Sequence, residues 1–305
     1  MEIHRKVVTT AGVALVSIYS IQFVAARFSL QGDISATGLT IIRFLVAGMM
    51  YLPYFLFGKG ISKFQALGIF KILILTVFAG FPYLYVINTG ISLTSAGYVA
   101  AVGPGSIVLF SLLLSFVLLR EKPDLISWTS TLAITTGILL FVFNTFLVET
   151  ISLKGTMLFV LQGFMFSMYG VLIKRWGVDA ILGTAVVSIT SCIPALYFLT
   201  TTDTGIFQAS TSELISQTII QGVLAGAASV FLYSFIVHQL GPQRASLFMP
   251  SVPIITTLGG YYFLGEPLTV VQLLGVAAMV FGMAAPGIFV FWNNRIALHT
   301  TRSKY

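Results

Sequence analysis

The chain has very little charge. Aspartate, glutamate, lysine and arginine together make up 8% of its 305 residues, whereas hydrophobic residues make up 57%. Soluble domains carry roughly 25% charged residues. A water-soluble protein with this composition would also expose apolar patches that monomers do not tolerate. A water-soluble globular fold is therefore excluded, and the lipid bilayer is the predicted solvent and partner.

Cysteine and phosphate-binding motifs are equally scarce. The single cysteine, Cys192, excludes an intrachain disulfide and any cysteine-based metal cluster. No G-x-G-x-x-G or Walker pattern is present, so a nucleotide-driven pump is not expected from this chain. The net charge of +7 is spread over short loops, so it does not predict a nucleic-acid partner. We expect no cofactor and no metal.

Long apolar runs dominate what is present. Ten of them, each near the length of about 20 residues that a bilayer requires, are separated by short polar breaks at 7–28, 37–57, 68–88, 94–119, 125–147, 155–173, 180–200, 217–240, 245–264 and 269–292. The first run is too long for a signal peptide and lacks a cleavage site, so we interpret it as a membrane span. The sequence predicts an all-α integral membrane protein with ten transmembrane helices.

The basic residues predict how the helices are oriented. With the N-terminus in the cytoplasm, thirteen of the sixteen Lys and Arg residues fall on the cytoplasmic side. Arg27 and Lys154 fall outside, and Arg43 lies within the second run. Cytoplasmic loops carry an excess of Lys and Arg. We therefore predict a multi-pass protein of the cell (inner) membrane with both termini in the cytoplasm.

The chain also repeats itself. The fourth run ends in Leu-Arg-Glu-Lys-Pro at 119–123 and the ninth in Leu-Gly-Glu-Pro-Leu at 264–268. In each copy a glycine, Gly137 or Gly282, follows sixteen residues after the glutamate. Five spans per copy is an odd number, so the second copy enters the bilayer in the opposite direction. Inverted repeats of this kind are typical of secondary transporters.

These motifs resemble a known family. Thr94-Ser95-Ala96-Gly97, the 119–123 motif, Arg43 in Ile-Arg-Phe-Leu, and a second copy from Pro253 to Gly282 are similar to the EamA repeat of the drug/metabolite transporter superfamily. The resemblance covers two halves, 1–149 and 150–305. It implies a ten-helix carrier that exports or exchanges small metabolites, often amino acids. It also implies a central cavity lined by spans one to four and six to nine.

Two observations on basic residues bear on the substrate. Arg43 has no basic counterpart in span seven, where the matching stretch at 184–187 reads Thr-Ala-Val-Val. Spans eight and nine contain no lysine, whereas carriers of nucleotide sugars and other phosphorylated metabolites in this superfamily place basic residues there. An amino acid is therefore favoured over a phosphorylated metabolite, which remains the alternative substrate.

The candidate substrate-binding residues are mostly neutral polar or aromatic. They are Tyr19, Gln22, Arg43, Tyr85, Asn88, Gln162, Tyr169, Ser229 and Tyr233. Helical spacing places Tyr19 and Gln22 on one face, and Gln162, Phe166 and Tyr169 on another. Amide and hydroxyl groups on aromatic walls suit a small zwitterionic or amphipathic solute. Two structural alternatives stay open, because tyrosine also belongs to interfacial belts and glutamine or serine also joins helices.

Gating and coupling residues can be named as well. Gly103 and Pro104 weaken the fourth span, Pro250 and Pro253 lie in the ninth, and His238 near the end of span eight is either an interfacial polar residue or a pH-sensitive gate. Pro82 predicts a kink in the third span. All acidic residues fall at span ends or in loops, which argues against a carboxylate relay. A membrane enzyme is the alternative class, but the spans supply neither a H-E-x-x-H nor a Ser/His/Asp set.

Overall fold

The computed structural model describes residues 2–58, 60–94, 96–148, 153–249, 251–265, 270–271, 273–279 and 281–282. Regular structure within these ranges is entirely helical. The helices are α1 (Glu2–Leu30), α2 (Ala36–Phe57), α3 (Gly60–Leu67), α4 (Ile69–Ala79), α5 (Phe81–Ser92), α6 (Ala96–Leu119), α7 (Leu125–Val148), α8 (Leu153–Arg175), α9 (Ala180–Thr201), α10 (Thr211–Gln217), α11 (Ser229–Leu240), α12 (Pro242–Ser246) and α13 (Ser251–Leu264), with a π-helical segment (Thr218–Ala228) between α10 and α11.

Eight helical stretches among the described residues are long and apolar enough to cross a bilayer. They are Lys6–Leu30, Ala36–Phe57, Ile69–Ser92, Ala96–Leu119, Leu153–Arg175, Ala180–Thr201, Thr211–Leu240 and Pro242–Leu264. A shorter apolar helix covers Leu125–Leu140. The all-helical membrane fold is thus confirmed. The tenth predicted run, 269–292, falls largely outside the described residues, so the count of ten stays a prediction.

Corresponding helices of the two halves begin with the same kind of cap. The Ser35 side chain accepts a hydrogen bond from the Gly38 backbone N–H at the start of α2. The Asp179 carboxylate accepts one from the Leu182 N–H at the start of α9. An N-cap oxygen satisfies one of the backbone donors that a helix start leaves unpaired. The two caps therefore fix a residue-by-residue correspondence between α2 and α9.

The third span of each half is interrupted near its middle. In the first half α4 ends at Ala79, and α5 restarts at Phe81 with Pro82 in its first turn. The kink predicted at Pro82 is confirmed. In the second half the interruption is the π-helical segment Thr218–Ala228. Such departures from the α-helix loosen the regular backbone ladder and are frequent at functional sites.

The helices of one half pack directly on helices of the other half. The described helices form close pairs α6–α8 and α2–α9, and α1 packs on α13. At the α2–α9 crossing a Cβ on Gly48 would lie 2.2 Å from Cys192 Sγ. Small residues allow this close approach of helices in a membrane. The interior that results is shared between the halves.

Candidate functional site

Arg43 is the charged centre of the bundle. It lies about 10 Å along α2 from Ala36, at 1.5 Å per residue, and is 4% exposed. Its Nη1 donates to Gln22 Oε1 at 2.6 Å and its Nη2 donates to the Ala225 carbonyl at 2.7 Å. None of the acidic residues that the structure describes pairs with it. The guanidinium is therefore compensated by neutral dipoles alone.

The Ala225 carbonyl belongs to the π-helical segment. It also accepts a hydrogen bond from the Ser229 hydroxyl at 2.5 Å. Glycines allow the segment to lie close to α2, because a Cβ on Gly226 would be 3.0 Å from the Arg43 carbonyl oxygen, and one on Gly222 would be 2.5 Å from Val46 Cβ. Irregular backbone that presents carbonyls at mid-membrane is how many secondary transporters build their sites. The π-helical segment therefore supplies part of the site with main-chain atoms.

Two glutamine side chains join α1 to span eight, one from the end of α10 and one from the π-helical segment. Gln221 Nε2 donates to the Gln22 carbonyl and Gln217 Nε2 donates to the Ala25 carbonyl, each at 3.1 Å. Both glutamines are buried. Their four-residue spacing in span eight was visible in the sequence, but the sequence did not show that α1 is the helix they contact. The Gln221 bond fixes the backbone of Gln22, whose side chain accepts the hydrogen bond from Arg43.

An aromatic cluster extends from Arg43 toward the other helices. Phe166 is its centre, with ring centroids at 4.3 Å from Tyr233, 5.2 Å from Tyr83, 5.9 Å from Tyr169 and 6.4 Å from Tyr19. Tyr19 and Tyr83 are the tyrosines of this cluster that lie close enough to Arg43 to influence its electrostatics. We define the central cluster as the residues that surround this point, namely Tyr19, Gln22, Arg43, Tyr83, Gln162, Phe166, Tyr169, Ser229 and Tyr233.

Two polar atoms of the central cluster form no hydrogen bond of good geometry with the described residues, although the Ser111 side chain lies near one and the Tyr83 hydroxyl near the other. They are Gln162 Oε1 and the Tyr233 hydroxyl oxygen, and both are buried. A buried polar group left unpaired costs about 1–3 kcal/mol. Such atoms mark positions where a bound solute could supply the missing partner. By contrast, the Tyr169 hydroxyl is bonded to the Ser234 hydroxyl at 2.8 Å.

Comparison with known proteins agrees with this architecture. The model of the EamA-like transporter family matches residues 8–143 and again residues 153–285. The chain belongs to the EamA-like transporter family. An uncharacterized transporter of Bacillus subtilis (strain 168), YdfC, is 25% identical over 289 residues, covering 92% of this chain and 91% of that protein. An uncharacterized transporter of Archaeoglobus fulgidus is 22% identical over 276 residues, covering 88% and 94%.

A solved crystal structure shares the fold of this EamA-like transporter. The two superpose with a TM-score of 0.66 at 15% identity, covering 92% of this chain and 96% of the other. The family and its relatives indicate a multi-pass membrane transporter rather than an enzyme. The resemblance to the EamA repeat is confirmed.

Seven of the nine predicted substrate-binding residues of this EamA-like transporter come together in the central cluster. The other two lie apart. Asn88 is buried but donates to Thr40 Oγ1 at 3.0 Å, which joins α5 to α2. Tyr85 is 45% exposed and lines a different cavity. The sequence pattern missed Tyr83, because it selected the helix face that Tyr85 shares with Asn88, three residues later in α5.

The predicted gating residues are scattered. A Cβ on Gly103 would be 2.4 Å from Gln162 Oε1, so this glycine lets α6 approach α8, and α6 continues as a helix through Pro104. Pro253 is buried in α13, and His238 is exposed near the end of α11. Pro250 lies outside the described residues. Whether any of them gates transport stays a prediction.

Two cavities between described helices are lined by residues outside the central cluster. A groove of about 700 Å³ lies between α1, the start of span eight and α13, with Ile21, Phe28 and Leu258 among its apolar walls. These three side chains are exposed, as expected where lipid replaces water as the solvent. A smaller cavity of about 440 Å³ lies between α2, α5 and α9. The smaller one contains hydroxyl groups as well as aromatic rings.

Proposed function

We propose that this transporter is a secondary carrier that exports or exchanges a small metabolite, an amino acid, by alternating access. Its ten helices would form two inverted halves, 1–149 and 150–305, with both termini in the cytoplasm of a cell whose inner membrane it spans. The observation that supports this proposal is Arg43, a buried cation whose partners within the described part of the chain are all neutral.

A carboxylate is the ligand that Arg43 lacks. A charged side chain at mid-membrane costs about 2.5–3.5 kcal/mol on insertion scales and is functional by default. A guanidinium binds a carboxylate through two parallel hydrogen bonds, which are roughly twice as strong as neutral ones. A substrate carboxylate would compete with the amide of Gln22 for Nη1. Arg43 would thus bind the substrate when present and Gln22 when absent.

The opposite side of the central cluster suits an ammonium group. Gln162 Oε1 is an unpartnered acceptor, and the Tyr83 hydroxyl adjoins the Gln162 side chain. The ring faces of Tyr83 and Phe166 carry a negative electrostatic potential that attracts cations. One cation at one side and an acceptor with aromatic faces at the other match a zwitterion. This arrangement favours an α-amino acid.

A phosphorylated substrate is less well served. Arg43 is the only basic side chain that is buried among the described residues. A phosphate dianion requires several donors and more than one positive charge to offset its desolvation. The described part of the chain therefore supports a monoanionic group better than a phosphate.

The test is counterflow of labelled α-amino acids in proteoliposomes. Saturable counterflow is expected for the wild type and for Lys154→Gln, which removes an exposed charge. Arg43→Gln should raise the apparent KM about ten- to hundredfold, because a hydrogen bond to a charged group contributes about 1.5–3 kcal/mol. Absence of saturable flux across the whole panel, or an Arg43→Gln variant with the wild-type KM, would refute the proposal.

A further inference from the structure

The cavity between α2, α5 and α9 is built from rings and hydroxyl groups. Its lining side chains are Thr37, Phe81, Pro82, Tyr85, Phe198 and Thr202. The hydroxyl groups of Thr37, Tyr85 and Thr202 form no hydrogen bond with another side chain or backbone group of the described residues. About 440 Å³ lies within the usual range for small-molecule sites, roughly 300–1,000 Å³. Aromatic walls with unused hydroxyls suit a solute that has a flat apolar part and polar ends.

The first turns of α5 separate this cavity from the central cluster. Phe81, Pro82 and Tyr85 line the cavity, whereas Tyr83 stacks on Phe166 in the central cluster. The ring centroids of Phe81 and Phe44 lie 6.3 Å apart, and Phe44 follows Arg43 in the sequence. A solute that leaves the central cluster toward this cavity therefore has to pass the start of α5, where the third span is interrupted.

Ser191 holds this partition in place. The backbone N–H of Phe81 donates to the Ser191 hydroxyl at 2.9 Å, and the Phe81 ring stacks on Phe198 at 5.4 Å. The first N–H groups of a helix have no partner within the helix. One neutral hydrogen bond and one ring contact are interactions that a conformational change can release. The partition is therefore held in place by contacts that a conformational change can break.

We infer that this cavity is a second, outer subsite for the transported solute and that the start of α5, held by Ser191, is the partition between it and Arg43. The inference rests on the proposed function and extends it to a substrate class, an α-amino acid with a flat aromatic side chain. In the proposed orientation the subsite lies on the outer side, because Thr37 is near the start of α2 and Thr202 follows the end of α9.

Cysteine protection tests the subsite without relying on transport. Thr37→Cys is introduced into a Cys192→Ala background, with Cys192→Ser as a second background, and its modification by a membrane-impermeant thiol reagent is timed in proteoliposomes. L-phenylalanine should slow modification at least fivefold, whereas L-alanine should not. Thr201→Cys, exposed at the end of α9 and outside the cavity, is the control and should be indifferent to both amino acids.

The outcomes separate this inference from the proposed function. Equal or absent protection at Thr37→Cys by the two amino acids overturns the subsite, even if amino-acid counterflow is normal. Protection by L-phenylalanine supports the subsite whatever the counterflow panel shows. The proposed function is refuted by different results, namely the absence of saturable flux or an Arg43→Gln variant with the wild-type KM.

The partition has its own matched pair of variants. Ser191→Ala removes the hydroxyl that holds the Phe81 N–H, whereas Ser188→Ala removes a buried hydroxyl of the same helix that has no partner among the described residues. Ser191→Ala should change the maximal counterflow rate at least threefold with an unchanged KM, and Ser188→Ala should change neither. Equal effects of the two variants would overturn the partition.

Discussion

The two halves of this transporter use one architecture with different chemistry. Arg43 lies eight residues after the Ser35 cap of α2, and Val187 lies eight residues after the Asp179 cap of α9. Both positions are buried, but only the first carries a charge. A symmetric fold can therefore hold an asymmetric site, in which one half supplies the cation and the other supplies an apolar position.

The interrupted third spans show the same contrast. In the first half the break exposes the backbone N–H of Phe81. The hydroxyl of Ser191, in the other half, accepts a hydrogen bond from it. In the second half the irregular segment exposes a carbonyl at Ala225, which Arg43 of the other half contacts. Each break is thus stabilised by the second or seventh span of the opposite half. One contact is neutral, and the other carries the charge that we assign to substrate binding.

The largest expected effect comes from making the two halves alike in charge. Val187→Arg places a second guanidinium at a buried position where no carboxylate is available among the described residues. An uncompensated buried charge destabilises a protein by about 3–5 kcal/mol. We expect the yield of monodisperse protein in size-exclusion chromatography to collapse. Val187→Leu, which keeps the position apolar, should retain most of the yield.

A smaller effect is expected where the halves cross. Gly48→Ala would bring a methyl group 2.2 Å from Cys192 Sγ. Overpacking of this kind costs typically 1–3 kcal/mol, so the thermal unfolding temperature should fall. The double variant Gly48→Ala, Cys192→Ala should recover part of the loss, because it removes the clashing sulfur. Additive losses in the double variant would contradict the crossing that the structure shows.

The bridges from α1 to the π-helical segment are expected to contribute less. Gln221→Leu removes one buried hydrogen bond, whose net contribution is about 0.5–1.5 kcal/mol. It leaves Arg43 and the aromatic cluster in place. We expect a modest fall in thermal stability together with a several-fold rise in the counterflow KM, because Gln22 loses one of its supports. A fall in stability with no change in KM would show that Gln22 is positioned by other contacts.

The smallest effect is expected at the ends of the bundle, where the halves meet through exposed groups. Lys63 Nζ lies 3.0 Å from Asp179 Oδ2. The hydrogen bond to Asp179 raises the pKa of Lys63. Partial burial of the carboxylate opposes a low pKa for Asp179, but hydrogen bonds from Leu182 and Lys63 outweigh it and lower the pKa. Both side chains are about half exposed, so solvent screens the pair and its contribution should be below about 1 kcal/mol.

The pH dependence of the stability that this pair contributes follows from the directions of the two pKa shifts. A lowered Asp179 pKa gives stability above the carboxyl's unfolded pKa, about 3.9, that is lost on acidification. A raised Lys63 pKa gives stability below the unfolded value, about 10.4, that is lost in strong base. The stability difference between wild type and Lys63→Met should therefore be constant from about pH 5 to 9 and vanish in 1 M NaCl. A difference that survives high salt would indicate a packing contribution instead.

Pattern reasoning identified most residues of the central cluster but not their contacts with one another; their role as a site stays a prediction. Gln22 and Arg43 stood out because an amide and a cation inside apolar runs are expensive in a bilayer. Their mutual contact, and the carbonyl of Ala225 as the second partner, could not be predicted, since main-chain carbonyls leave no trace in the side-chain pattern. Tyr85 was predicted in place of Tyr83 because it shares a helix face with Asn88, and spacing alone does not show which face of a helix meets the aromatic cluster.

The sequence by itself determined the solvent, the helical class, the internal repeat and the family, because each depends on hydropathy, charge distribution or motif spacing along the chain. Only the tertiary structure decided which helices of the two halves contact each other. Contacts such as Phe81 with Ser191, or Arg43 with Ala225, join residues more than one hundred positions apart. Bilayer insertion constrains where each helix lies in depth, but packing and hydrogen bonds between helices select its neighbours.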